Sequence, residues 1–373
     1  MRRLQLRARV APVSSPMFSP KARVAALASV SMGAAAAALA ADDARAWLER
    51  MEHALATRNY QGTFVHEHGG QTDTLHVVHR VDDSGVAERI QAMDGSGREF
   101  VRRGGELSTY FPDRRVVMVE SAPQRSLLLG ELTQLDTVAS QLYALSEAPE
   151  TRISGRAAHV IDVEPRDDLR YGYRVWIDGA SAMPLKTQLR TAAGSVVEQL
   201  VFTELTLPPH IDDKALQPPF DARNWRWLRH ESVMAGAPND AMPAVDWQTG
   251  PLPPGFRMTG RSTRLLPGGS QSVTHLVFSD GVASVSVFVE ATEVGGPDSA
   301  TQGAQGQAPT TVTSLGSSNA VSTMVDGHKV TAIGEVPAGT VRAIAGSLRA
   351  TEAGRGPGAG APGVAHAGGG VHH

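Results

Sequence analysis

Residues 64–80 read FVHEHGGQTDTLHVVHR and set four histidines, His66, His68, His76 and His79, around a Gly69-Gly70 pair. Imidazole is the commonest metal-binding side chain, and residues two apart on a strand share a face. His66 and His68 could therefore supply half of a zinc site. The other half would have to come from across the hairpin. There His76 and His79 are three apart and fall on opposite faces of their strand, so at most one can join. No His-Glu-x-x-His motif or helical ligand pair accompanies them. The stretch reads as polar strand residues beside a turn, with no metal site and no cofactor expected.

Other catalytic constellations are missing too. The chain has no G-x-S-x-G elbow, no P-loop and no Rossmann glycine pattern. The acidic pairs Asp82-Asp83, Asp167-Asp168 and Asp212-Asp213 lie in turn or linker contexts, where solvated carboxylates are the default. A glycosidase acid pair would need aromatic company for its sugar, and only 5% of residues are aromatic. With no cysteine there is no thiol nucleophile, disulfide or thiolate-held metal. No catalytic residue is assigned, and a binding protein is expected rather than an enzyme.

The chain of 373 residues can bury two cores of ordinary size. Its first forty residues hold Arg2, Arg3, Arg7, Arg9, Lys21 and Arg23 without any acidic residue. An uncharged alanine-rich run follows to Ala41, and Ala38-Leu39-Ala40 fits signal-peptide cleavage. Residues 1–40 are therefore expected to be a leader, with translation starting at Met1 or Met17. Losing those six positive charges takes the formal net charge from −3 to −9, which argues against nucleic acid as a partner. The mature protein is expected to be soluble in the periplasm.

Asp42 or Asp43 can cap a helix in which Trp47, Leu48, Met51 and Leu55 recur at helical spacing. From Tyr60 the period changes to two. Strands are predicted near residues 60–66, 73–81, 86–92, 97–103, 106–111 and 115–119, separated by glycine- and aspartate-rich turns. Leu135, Val138, Leu142 and Leu145 keep helical spacing within an apolar segment, Leu127 to Leu145. Strands resume near 157–164, 170–177, 184–191 and 195–204. This pattern predicts a mainly β, α+β fold: a first domain over 41–208, a proline-rich linker over 209–245, a smaller second domain over 246–350, and a disordered tail over 351–373. In the second domain a hairpin turning at Asp280-Gly281 puts Ala283, Val285, Val287 and Val289 on one face. A loop is expected over 294–319. Pro337 opens a last helix with Val341, Ile344 and Leu348 on its buried stripe.

Longer strings carry a resemblance. YQGTFVHEHGG, the run from Leu75 to Asp113, and YGYRVWIDGASAMPLKTQLRTAAGSVVEQLVFTEL are similar to the amino-terminal domain of the MucB/RseB family. DWQTGPLPPGFRMTGRSTR, HLVFSDGVASVSVFVE and VDGHKVTAIGEVPAGTVRAIAGSLR resemble that family's carboxy-terminal domain. His79 falls where the family often carries histidine, whereas His66 and His68 lie outside its pattern. The resemblance implies a periplasmic regulator of the envelope-stress sigma-factor (sigma-E) pathway. Such a protein binds the periplasmic part of a transmembrane anti-sigma factor, shields it from regulated proteolysis, and releases it when lipopolysaccharide or lipoprotein binds. It also implies an unclosed antiparallel half-barrel of the LolA type, covered by helices.

On that reading Phe64, Val77, Tyr110, Phe111, Val117, Leu135, Leu142, Tyr173 and Val175 would line an acyl-chain groove. Trp247, Phe256, Arg257, Arg261 and Arg264 would form the partner surface, because aromatics and arginine are frequent interface anchors. The competing reading is a lipid or lipoprotein carrier of the LolA type, against which the additional domain speaks. A homo-oligomer remains open.

Overall fold

The computed structural model describes residues 42–121, 139–230, 233–234, 245–265, 272–290 and 310–352. The expected leader, Leu135 and nearly all of the expected tail lie outside them.

A helix over residues 42–57 (α1) begins the described chain. Six strands follow as a meander: β1 (Tyr60–His68), β2 (Gln71–Asp82), β3 (Gly85–Ala92), β4 (Glu99–Arg103), β5 (Glu106–Phe111) and β6 (Val116–Ser121). Their boundaries follow the two-residue period because each strand has one face on the core. The β1–β2 turn is Gly69-Gly70, with φ of 55° and 77°, the left-handed pair that a two-residue primed turn requires. A short helix α2 (Ala139–Leu142) leads into β7 (Tyr143–Ile153), β8 (Arg156–Pro165), β9 (Gly172–Asp178), β10 (Pro184–Arg190) and β11 (Val196–Thr206). β11 closes back on β1.

The helical reading fails at Tyr143. Leu145 belongs to β7, an edge strand whose bulge between Ala148 and Thr151 contains Pro149. Proline is tolerated there because an edge need not donate every ladder hydrogen bond. The expected linker is also not a free connector. Strand β12 (Arg226–His230) pairs parallel to β6 and becomes the far edge of a twelve-stranded sheet. Before it, a 3-10 turn (Asp213–Leu216) buries Ile211 and Leu216 against Val78 and Ala87.

That sheet is unclosed and strongly curved around α1. Ala44, Leu48, Met51, Ala54 and Leu55 pack with Tyr60, Phe64, Val77, Ile161, Val175 and Phe202 into one core. The second domain is a seven-stranded antiparallel sheet. It contains β13 (Val233–Met234), β15 (Arg257–Leu265), β16 (Ser272–Ser279), β17 (Ser284–Glu290), β18 (Thr311–Leu315), β19 (Ser318–Val325) and β20 (His328–Gly334). Helix α3 (Ala338–Ser347) packs across β19 and β20, burying Val341 and Ile344, and β14 (Val245–Thr249) pairs with β21 (Leu348–Glu352). β18 lies within the expected loop. The β16–β17 connection runs from Asp280 to Ala283, four residues and not two.

Met51 is fully buried, whereas Glu49 is exposed. Met51→Ala should cost about 2–5 kcal/mol in urea unfolding, the usual cost of a large core truncation. Glu49→Ala should stay within about 0.5 kcal/mol.

Candidate functional site

Arg170 lies in the short segment between β8 and β9, and its side chain is 0% exposed. A buried guanidinium needs acceptors for its five donors. Nε and Nη2 grip the two Asp167 oxygens at 2.9 and 3.1 Å. Nη1 reaches Asp280 Oδ2 at 2.5 Å, and Nη2 also donates to the Pro254 carbonyl at 2.7 Å. Asp280 and Pro254 belong to the second domain. Burial alone would make Arg170 easier to deprotonate, but the two carboxylates hold its affinity for the proton above the ordinary arginine value.

Asp280 is fully buried as well. Its Oδ1 accepts the amides of Val282 at 2.9 Å and Ala283 at 2.7 Å, which shapes the four-residue loop. Tyr143 donates its hydroxyl to Asp280 Oδ2 at 3.5 Å, and burial together with the nearby carboxylates pushes that phenol far up. The loop so formed is a plug: Val282 packs into the first domain's core, while Ala283 stays in the second's. Around it, Thr340 donates to the Leu169 carbonyl at 2.6 Å and Asn319 to the Tyr171 hydroxyl at 3.2 Å. Leu142 lies against Gly255, where a Cβ would come within 2.4 Å of its Cδ1. The sequence reading missed this seam. Arg170 and Asp280 are 110 residues apart, and neither carries a local signal.

The expected groove residues do not share one surface. Phe64, Val77 and Val175 are core residues of the barrel, with Tyr173 and Leu142 packed against them. Tyr110 and Phe111 are adjacent in a strand and must point to opposite faces. Tyr110 pairs with Val117, and Trp227 aligns with Val117 in turn. Phe220, Trp225 and Trp227 gather around the Tyr110 ring at 5.7, 6.5 and 6.2 Å. Tyr110 and Val117 thus lie on the outer face, under the segment that follows the barrel.

Instead, the inner face carries a polar row. Tyr60 stacks on His79 at 4.5 Å, and Glu88 pairs with Arg102 at 3.0 Å, both fully buried. Among the described residues, Arg102 Nε and Nη1 and both His79 ring nitrogens have no hydrogen-bond partner. Buried donors left open in this way are costly, at about 1–3 kcal/mol each.

The expected partner surface is divided in a similar way. Trp247 and Phe256 are 5% and 6% exposed and belong to the second domain's core, so they cannot anchor a partner in this state. Small domains have few large side chains with which to fill their centres, and these two are used there. Arg257 is exposed, and Arg261 is paired with Asp246, whose carboxyl it holds below the ordinary range. The backbone of Arg264 lies in β15; its side chain is outside the described residues.

The histidines of the first hairpin separate as well. His76 faces outward beside Thr63, and His79 is buried. His66 and His68 stack at 4.5 Å, and Asp73, opposite His66 across the hairpin, joins them. One ligand atom from each of the three lies within 4.8 Å of the other two.

Models of the MucB/RseB N-terminal and C-terminal domains match residues 43–220 and 241–349. The Pseudomonas aeruginosa "Sigma factor AlgU regulatory protein MucB" is 33% identical over 316 residues, spanning 83% of this chain and 92% of that protein. The Escherichia coli K12 "Sigma-E factor regulatory protein RseB" is 28% identical over 318 residues, 82% of this chain and 90% of that one. The solved complex of Pseudomonas aeruginosa MucA and MucB is similar at a TM-score of 0.60 and 30% identity, covering 82% of this chain and 98% of that one. No helix among the described residues is long and apolar enough to cross a membrane.

Arg170→Met would strand Asp280 and Asp167 at the seam. It should lower unfolding free energy by about 3–5 kcal/mol, the cost of breaking a buried pair from one side. Arg223→Met removes an exposed partner of Asp221 and serves as the control, leaving stability close to wild type. Small-angle scattering of the folded Arg170→Met protein should show a larger radius of gyration than wild type.

Proposed function

The chain belongs to the MucB/RseB family, both of whose domain models it matches, and from that premise we propose that it is a periplasmic negative regulator of a sigma-factor pathway. It binds the periplasmic segment of a transmembrane anti-sigma factor and protects that segment from regulated proteolysis. It releases the partner when an amphiphile, lipopolysaccharide or the acyl chains of a lipoprotein, occupies the first domain. The relatives named above are regulatory proteins, and one has been solved with MucA.

The observation that carries the reading is the plug of the second domain in the first domain's core. A carrier of the LolA type needs only the curved sheet. Here Val282 and Asp280 give the second domain a direct hold on the sheet that would receive the amphiphile. Arg102 supports an anionic ligand: among the described residues its Nε and Nη1 have no acceptor, and a phosphate or carboxylate headgroup at the inner face would satisfy them. Ligand entry beside that row would press on the same core into which Val282 fits. Linkage then requires that amphiphile and partner weaken each other's binding equally.

For the partner surface we keep Arg257 and Arg261, which are exposed, together with Arg264 of the same strand β15, and set aside the buried Trp247 and Phe256. Arg261→Ala with Arg264→Ala should weaken binding of the anti-sigma-factor periplasmic segment about tenfold, the effect of losing a moderate interface anchor. The melting temperature should stay close to wild type. Titration calorimetry against the purified segment makes the measurement. Unchanged affinity in that variant would remove β15 from the interface.

A further inference from the structure

The hairpin histidines gain a different meaning at the rim of the half-barrel. His66 and His68 are two apart on β1, and their rings stack at 4.5 Å with planes 27° apart. Asp73 is the register partner of His66 on β2, and Glu198 is the register partner of His68 on β11. Four ligand-type side chains from three adjacent strands therefore stand on one face of the sheet. His68 Nε2 is 2.9 Å from Asp73 Oδ2, and His66 Nε2 is 2.6 Å from Glu198 Oε1. The sequence reading sought its third ligand in His76 or His79 and so passed over Asp73.

We propose that His66, His68 and Asp73 form a zinc-class divalent cation site, with Glu198 as the carboxylate that positions the His66 ring. Two imidazoles and a carboxylate are a donor set that zinc takes, with a fourth position left for water. Calcium and magnesium, which prefer all-oxygen shells, fit it less well. Ligand atoms about 2.0–2.1 Å from a tetrahedral zinc are roughly 3.3 Å apart, so the His68–Asp73 pair need open by only a few tenths of an ångström. A carboxylate behind a metal-bound histidine fixes the orientation of that ring, and Glu198 is placed to do so.

Charge favours a cation as well. Asp73, Glu198 and Glu335 gather here, and among the described residues no arginine or lysine pairs with any of them. A divalent ion would bring positive charge to these three carboxyl groups.

The site also touches the second domain. Gly316 rests on His68, whose Cβ and Nδ1 lie 3.3 Å from where a Gly316 Cβ would be, and the Ser317 hydroxyl hydrogen-bonds Glu198. A bound ion would fix the ligand rings on which that loop sits. This would give the seam a second fastening, remote from Arg170–Asp280. The proposal does not depend on the regulatory reading.

The test is uptake of zinc by the purified chain after treatment with chelator. Metal content is measured after gel filtration and affinity by competition with a chromophoric chelator. One zinc per chain is expected, with visible absorption from low-coordinate cobalt(II) at the same site. His68→Ala and Asp73→Asn should each weaken zinc binding at least tenfold. Glu198→Gln should weaken it about 10- to 100-fold, the usual effect of losing such an orienting partner. Asp73 is 41% exposed in a hairpin, so its variant stays folded, which circular dichroism verifies. His372→Ala with His373→Ala controls for the histidines at the chain's end and should change nothing. Absence of saturable uptake would overturn the site. So would uptake that persists in the Asp73 and His68 variants but disappears in the His372/His373 variant.

Discussion

Arg170 and Asp280 meet in full burial between two domains, and each depends on the other for its charge to be tolerable there. Ionised groups taken out of water lose several kcal/mol of hydration apiece, and only close, well-aligned partners restore it. Arg170 meets that demand with two carboxylates and a carbonyl. Asp280 does so with Arg170, Tyr143 and two backbone amides of its own loop. The geometry tolerates little sliding, because a shift of one domain leaves a buried charge facing apolar surface. The relative placement of the domains follows from this pair, and Val282 enters the barrel core because the loop is shaped by the same carboxylate.

Such a junction suits a switch better than a scaffold. A buried ion pair contributes modestly to net stability but penalises intermediate arrangements, which would favour domains that are either engaged or apart. On the inner face of the first domain, among the described residues, Arg102 Nε and Nη1 have no hydrogen-bond acceptor. On the proposed reading, a ligand that satisfies them would alter the core on which the plug depends. Occupancy of one domain and accessibility of the other would, on that reading, be a single linked equilibrium.

Much of the architecture was legible in the residues. The strands from Tyr60 to Ser121 and from Arg156 to Thr206 announce themselves because each alternates between a core face and an outer face, with glycine or aspartate at the turns. Strands outside that regime were lost. β7 is polar and interrupted by Pro149; every residue of β18 is exposed, so it has no buried face to read; β12 sits among prolines and pairs parallel with a distant strand. The site was less legible for a different reason. Trp247 and Phe256 have the composition of interface anchors, and only burial distinguishes an anchor from a core residue. Alternation alone separates Tyr110 from Phe111. Arg170 meets Asp280 through long-range folding that no spacing rule encodes.

The central claim is that the seam transmits amphiphile occupancy to the partner surface. It is tested most directly by measuring the anti-sigma-factor segment's affinity with and without saturating lipopolysaccharide, in wild type and in an Arg170→Met/Asp280→Leu double variant. That double replacement removes both charges together, so neither is left stranded. In wild type the amphiphile should weaken partner binding about five- to 150-fold, the usual range of allosteric coupling. In the double variant the two affinities should differ by less than about twofold. The same large difference in both proteins would contradict transmission through Arg170 and Asp280.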